Sequence, residues 1–547
     1  MSHFGVRELL TKNRHSRVNK SATALAFGDT SWTYDELDSA VTVVASALAA
    51  HGFQRGDRLA VLMYNRPEYV VAFFAAAHLG GIIVPINYYL QPSEVASAIE
   101  ESGSTWVVVE DDLATTLSVG VDSLRPGVSV PRIIHVGSLP ASVEGAIAWS
   151  DLAAYDGATM PPATVDLADE FLYQFSSGTT GVPKAAIHTH GNVLMNALTQ
   201  VAEFGITAAD VHLVVPALCW GAGFHDYTLA TWWQGGTVVL NQSRRLSAAD
   251  IYQVVLEREV TTVLLVPSVM RILLSDPALD VSALTSLRII LSGGEPVPVE
   301  SIKALQRLLP KTQTVQAYGL SEFPVITTYL DGADAIQRVG SAGKATLGAI
   351  VRVIDEDGRD VAAGETGEII SKSLSSMTGY TGGPVTSGTR MVDGWLHTGD
   401  RATVDEDGYL YIAGRAKDMI ISGGLNVYPA EIERVLERRP DVRESAVVGI
   451  EDEKYGEVGL AVVVVESPID ECAAVESMKA ELRQALAHFK VPKHWVLTDQ
   501  PLPRTTSRKV QKFVVREQQA HHLETCQCFA TDVDSTADVA AKTLGMR

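Results

Sequence analysis

Cysteine is scarce in this chain: there are four in 547 residues, too few for the disulfide framework by which small secreted domains hold together. Long apolar runs are missing as well. No stretch reaches the roughly 18 to 20 uninterrupted apolar residues that a transmembrane helix needs, and 69–79 and 80–86 come nearest. The N-terminus has no basic start followed by an apolar stretch, and Leu544-Gly545-Met546-Arg547 is not a peroxisomal tripeptide. Cytoplasmic residence is therefore the expectation. Positive charge is in deficit, with 44 Lys and Arg against 65 Asp and Glu and a net charge of −21. That sign repels nucleic acid and anionic membranes, so the expected partner is a small molecule. Charged residues make up 20% and apolar residues 46%, values of a folded globular chain.

What is present is a nine-residue stretch, Ser176-Ser177-Gly178-Thr179-Thr180-Gly181-Val182-Pro183-Lys184, with two hydroxyl pairs, two glycines and a lysine. Glycines let successive backbone N–H groups converge on an anion, and Ser, Thr and Lys add donors and positive charge. The apolar run 170–175 reads as a buried strand delivering this phosphate-binding loop. It is not a Walker A loop, which needs Lys directly after the second Gly and a hydroxyl after the Lys. Here Lys184 follows Gly181 by three residues, and Ala185 follows the lysine.

Around the loop the pattern is α/β. Thr33 and Glu36 make a capping box that opens a helix, a second helix is expected over 67–79, and short β-branched strands are expected at 59–63, 82–85, 211–216, 237–240, 261–266 and 287–291. After about residue 345 strands alternate with Asp/Gly turns such as 355–358 and 405–408, which reads as a β-rich subdomain. A final α+β unit is expected to about residue 518. The tail 519–547 has no element pattern and reads as disordered. His521, His522, Cys526 and Cys528 lie close together in it, but zinc sites need paired spacing and a supporting fold, so no metal is assigned there.

Further motifs recur in a fixed order: Leu291-Ser292-Gly293-Gly294-Glu295-Pro296, Gln316-Ala317-Tyr318-Gly319-Leu320-Ser321-Glu322, Trp395-Leu396-His397-Thr398-Gly399-Asp400, Gly414-Arg415-Ala416-Lys417-Asp418 and Pro503-Arg504-Thr505-Thr506-Ser507-Arg508-Lys509-Val510. Taken alone, 318–322 reads as a helix start; its place after 291–296 favours a site. Together with the phosphate loop, these segments resemble the adenylate-forming superfamily of acyl- and aryl-CoA synthetases, carrier-protein adenylation domains and beetle luciferases. The resemblance runs to about residue 515.

It implies a large domain of mixed αβαβα sheets with a β-rich subdomain (1–414), a hinge (415–418) and a smaller mobile α+β domain (419–518). It also implies an ATP-dependent ligase using magnesium and coenzyme A, in which a carboxylate attacks the α-phosphate to give acyl-AMP and pyrophosphate. A thiol then displaces AMP. The implied roles are Ser176, Ser177, Gly178, Thr179, Thr180, Gly181 and Lys184 on phosphates, Ser321 on the α-phosphate, Glu322 on magnesium, and Tyr318 on adenine with Gly293, Gly294, Glu295, Ala317 and Gly319 nearby. Asp400 and Arg415 would take the ribose hydroxyls, an ionised carboxylate being an acceptor-only group. Lys417 would be the pivot, and Lys509 would bridge the acid and the α-phosphate. Arg508 departs from the glycine usual beside that lysine. Gly423, Gly424 and Asn426 would line the coenzyme A channel.

Trp220, Phe224, Val266, Gly294 and Ala317 would form an apolar slot for an aryl, alicyclic or medium acyl carboxylate. No Asp stands where amino-acid-activating relatives anchor an α-amino group. Three other readings stay open at this point: transfer of the acyl group to a separate carrier protein, a luciferase-like monooxygenase, and a non-catalytic nucleotide-binding relative. Sequence gives no oligomeric state.

Overall fold

Two periodicities, β-branched runs of four to six residues and 3.6-residue amphipathic stretches, alternate through the first four hundred residues, and they fold as layered α/β structure. The computed structural model describes residues 4–17, 19–138, 145–175, 184–242, 247–294, 297–323, 326–383, 389–415, 418–422, 425–452, 455–465, 471–504 and 510–520. They divide into two compact units, Met1–Ile412 and Ala413–Arg547.

The first unit holds two large, mainly parallel sheets. In the eight-stranded sheet, Glu170–Phe175, Ile82–Pro85, Arg58–Leu62, Trp106–Glu110 and Arg132–Val136 run parallel, and Ala185–Thr189 lies antiparallel beside Glu170–Phe175. In the nine-stranded sheet, Thr237–Leu240, Val211–Val214, Thr262–Leu264, Ile289–Gly293 and Gln313–Tyr318 are parallel neighbours, followed by the antiparallel Thr328–Asp331. Helix Pro67–Leu79 is buried along its whole length from Tyr69, because the stretch is apolar on every face but for His78, whose ring nitrogens are met by Arg7 and the Met160 carbonyl. Its Phe73 and Phe74 meet Phe171, Phe224 and Trp232 in the main core. A separate antiparallel sheet of Ala349–Ile354, Thr366–Ser373, Trp395–Val404 and Arg390–Val392 forms the β-rich subdomain.

The second unit packs helices Pro429–Leu436 and Glu471–Ala485 on a sheet led by the long hairpin Val442–Asp452 and Gly456–Val465, with His494–Thr498 added in parallel.

The capping box at Thr33 is present, Thr33 Oγ1 accepting from the Glu36 N–H. The expected strand 261–266 is shorter, ending at Leu264. Pro267 has no N–H for a ladder and its fixed φ suits the first turn of a helix, so Val266 becomes the N-cap of Pro267–Ser275. The segment 318–322, for which a site is favoured over a helix start, starts no helix: Gln313–Tyr318 is a strand and 321–323 a turn. The 519–547 tail lies, from 521 on, outside the described residues.

Candidate active site

The carboxyl ends of adjacent parallel strands are where loops converge and ligands sit in open α/β sheets. Val211–Val214, Thr262–Leu264, Ile289–Gly293 and Gln313–Tyr318 are such neighbours. Their ends deliver Pro216 to Trp220, Val266, Gly293-Gly294 and Ala317-Tyr318 to one edge of the sheet. Gly293 stands opposite Ala317 in register. A Cβ there would come 2.6 Å from the Ala317 carbonyl oxygen, so the strands approach this closely only because residue 293 is glycine. Gly294, with φ +84°, then turns the chain out of the sheet.

At the end of strand Gln313–Tyr318, Tyr318 O–H donates to Asp400 Oδ2 at 2.6 Å. Asp400 is buried, and its N–H donates to Thr398 Oγ1 at 3.1 Å. The structure thus joins two motif residues 82 positions apart and sets the carboxylate's orientation before any ligand arrives. Beyond Tyr318 the chain turns, Phe323 N–H donating to the Leu320 carbonyl at 3.0 Å, and buried Phe323 pins the turn.

Three contacts hold Ser321 and Glu322. His188 Nε2 lies 2.8 Å from the Ser321 carbonyl oxygen, Met377 N–H donates to the Glu322 carbonyl at 2.8 Å, and Tyr380 O–H donates to Glu322 Oε1 at 2.6 Å. A carbonyl only accepts, so Nε2 carries the proton in that pair. Burial pushes the His188 pKa down to about 4, so the imidazole is neutral at pH 7.

Sequence reasoning missed His188 and Tyr380. His188 carried a signal, as a lone imidazole in the otherwise apolar 185–188 just after the glycine-rich loop. Tyr380 carried none: its partner is 58 residues away, and only tertiary folding pairs them.

The acyl slot is partly redrawn. Val266 and Ala317, with Ala222, flank one buried cluster that contains Leu264, Leu291 and Ile326. Trp220 is half-buried, and its ring stacks toward Tyr89, centroids 6.4 Å apart and planes at 28°. Tyr88 and Tyr64 continue that aromatic row.

Phe224 does not belong to the slot. It is 1% exposed, with its ring 4.0 Å from Phe73 and close to Tyr69 and Trp232 in the main core. The tight turn before it, in which a Cβ on Gly223 would come 2.1 Å from the Ala217 carbonyl oxygen, directs the apolar ring inward.

Lys184 is half-buried immediately before strand Ala185–Thr189. Ser176, Ser177, Gly178, Thr179, Thr180, Gly181, Glu295, Lys417, Gly423, Gly424 and Lys509 lie outside the described residues. Arg415 ends strand Leu410–Arg415, and Asn426 lies in strand Leu425–Val427.

For magnesium the donor set fits. Glu322 offers a buried carboxylate, and Mg2+ is bound through one or two carboxylates plus substrate phosphates rather than by an all-protein cage. Among the described residues there is no group of three or more His, Cys, Asp and Glu side chains that could hold a metal ion by itself. Among the described residues, too, no helix is long and apolar enough to cross a membrane.

A model of the AMP-binding enzyme family matches residues 13–381, and one of the AMP-binding enzyme C-terminal domain matches 431–509. The chain belongs to the AMP-binding enzyme family. This is the adenylate-forming superfamily that the motifs resemble, and the α/β fold with a large first and a smaller second domain is the family's. Among its members, feruloyl-CoA synthase of an Amycolatopsis species is 37% identical over 506 residues, 92% of this chain and 97% of that one. Indoleacetate–CoA ligase of Aromatoleum aromaticum is 33% identical over 507 residues, 92% and 96% of the two chains. The solved o-succinylbenzoate CoA synthetase of Bacillus subtilis, in complex with its acyl-adenylate intermediate, superposes with a TM-score of 0.80 at 27% identity, covering 94% of this chain and 99% of that one.

Proposed function

We propose that this family member activates an acid bearing an aromatic ring. Its reaction is that of an AMP-forming acid–thiol ligase: ATP and a small carboxylic acid give acyl-AMP and pyrophosphate, and coenzyme A takes the acyl group with release of AMP. Magnesium, when bound, neutralises charge on the departing pyrophosphate.

The observation that carries the substrate class is the Trp220–Tyr89 ring pair, Trp220 lying in the segment that follows strand Val211–Val214 and leads to Ala222, which with Val266 and Ala317 borders one apolar cluster. A flat ring gains by offset stacking on such a pair. The names of relatives that act on ferulate and indoleacetate support the same class.

In this reading Lys184 and the loop before it grip the β- and γ-phosphates, Ser321 takes the α-phosphate, Glu322 the metal, and Asp400 with Arg415 the ribose. Lys509 bridges carboxylate and phosphate, Lys417 is the pivot of the 415–418 hinge, and Gly423, Gly424 and Asn426 line the thiol path. A separate carrier protein is the alternative acceptor.

The test is a pyrophosphate-release screen across aromatic, alicyclic, medium- and long-chain fatty, and amino acids. Phenylpropenoic and indole acids are expected to exceed amino acids in kcat/KM by at least about 100-fold, an unpaired buried ammonium being costly, and fatty acids by about 10-fold. A preference for fatty or amino acids would overturn the aromatic assignment.

A further inference from the structure

We infer that Tyr380 is a positioning residue for the metal, acting through Glu322; the inference rests on the reading of Glu322 as the magnesium carboxylate. The backbone of Tyr380 is fixed from one side by strand Ala185–Thr189. Gly379 pairs with Ile187 and Tyr380 with Ala186, while Thr378 N–H donates to the Ile187 carbonyl and Thr381 N–H to the Ala185 carbonyl, both at 2.9 Å. Ala185 N–H returns a bond to Thr381 Oγ1 at 3.1 Å. The ring packs on the cluster of Ala186, Phe323, Met377 and Leu396. The phenol is thus held by the strand that directly follows the phosphate loop and by the turn that carries Ser321 and Glu322.

The bond it makes there, O–H to Glu322 Oε1 at 2.6 Å, has the length of a charge-assisted O–H···O− bond. Two consequences follow for the carboxylate. Its plane is fixed, so the direction in which the second oxygen points is fixed as well. Its charge is also retained, because the donor is neutral; among the described residues no Lys, Arg or His forms an ion pair with Glu322. A cationic partner would fix the geometry equally well but would cancel the charge that draws a divalent ion. Hydrogen-bond partners of this kind behind a ligating carboxylate are worth about 10- to 100-fold in metal affinity or activity.

Three full-length proteins test this: wild type, Tyr380→Phe and Glu322→Gln. Binding of a non-hydrolysable ATP analogue is measured by calorimetry in excess EDTA and in excess MgCl2, and Mn2+ binding to the protein–analogue complex is followed by electron paramagnetic resonance. For Tyr380→Phe the gain in analogue affinity on adding Mg2+ is expected to shrink about 10-fold, with Mn2+ affinity falling in parallel and the EDTA affinity unchanged. Glu322→Gln is expected to lose the gain altogether. Equal weakening with and without metal in Tyr380→Phe would mark a merely structural role and overturn the inference. If Glu322→Gln loses the metal effect while Tyr380→Phe keeps it, Tyr380 alone is refuted. If Glu322→Gln keeps it, the Glu322 assignment falls, and this inference with it.

Discussion

Lys509→Ala is expected to lower acid-dependent ATP–pyrophosphate exchange by about 100- to 1,000-fold, the size of effect seen when one preorganised donor to a developing oxyanion is removed. Charge builds on the phosphorus oxygens as the carboxylate attacks and pyrophosphate leaves, and a fixed ammonium lowers the transition state more than the ground state. In the proposed mechanism the second half-reaction makes no such demand on the lysine. Thioester formation from supplied acyl-AMP and coenzyme A is therefore expected to stay within about threefold of wild type.

Lys509 itself lies outside the described residues, but its flanks are drawn together within the second unit. Arg504 and Val510 form an antiparallel bridge, and Gln511 N–H donates to the Pro503 carbonyl at 2.8 Å. Arg504 pairs with Glu444, whose Oε1 also accepts from Leu502 N–H at 2.9 Å, and Lys512 pairs with Glu433 at 2.6 Å. Equal losses in both half-reactions would show that the variant damages the fold rather than the adenylation step. Unchanged exchange would remove Lys509 from the adenylation step, whereas wild-type protein that binds ATP but shows no exchange with any acid would support a non-catalytic nucleotide binder.

Acidification from pH 6.5 toward 4 is expected to unfold the first unit. Four of its buried histidines are shifted furthest: His188 and His190 with pKa pushed down to about 4, and His212 and His225 to about 3, burial being the main cause in each. The sign follows from linkage. Between the folded values and the unfolded value near 6.5 the unfolded chain binds more protons, so this stability is full above pH 6.5 and is lost as pH falls through the window.

Buried Asp226 works the other way. Its carboxyl is raised by burial, so the folded chain binds its proton up to a higher pH than the unfolded chain, adding stability at low pH that is lost as pH rises through its folded value. These four histidines against one carboxyl leave a net of about three protons, or about 4 kcal/mol per pH unit, and buried His78, also lowered by burial, adds in the same direction. Against a typical total of about 5 to 15 kcal/mol, this places collapse near pH 5. Urea midpoints measured between pH 7 and 5 should fall steeply, and a flat profile would contradict the burial assigned to these rings.

How legible the site was depended on the kind of residue. Gly293 and Ala317 could be placed in one site because short motifs mark the ends of strands, and the parallel register that sets them side by side follows from α/β alternation. Asp400 was legible as a motif residue, but its bond from Tyr318 was not, since nothing local links residues of different sheets.

Phe224 went astray for a related reason: an aromatic residue directly after a glycine gives no sign of which way it turns, and the close Gly223–Ala217 approach that decides it is tertiary. Val266 was assigned to a strand by its β-branch, although Pro267 after it carried the opposing signal. His188 shows the reverse case. A histidine in an apolar strand was visible in the sequence, yet its use in holding the Ser321 carbonyl needed the turn at 321–323 to be seen in place.

Quantifying every product of a single incubation tests the account most directly. The full-length protein is given ATP, magnesium, coenzyme A and the best acid from the screen, and nucleotides, pyrophosphate and thioester are measured by mass spectrometry. The account predicts AMP, pyrophosphate and acyl-CoA in equal amounts, with acyl-AMP accumulating only when coenzyme A is left out. ADP with inorganic phosphate, or AMP and pyrophosphate with no thioester, would contradict it.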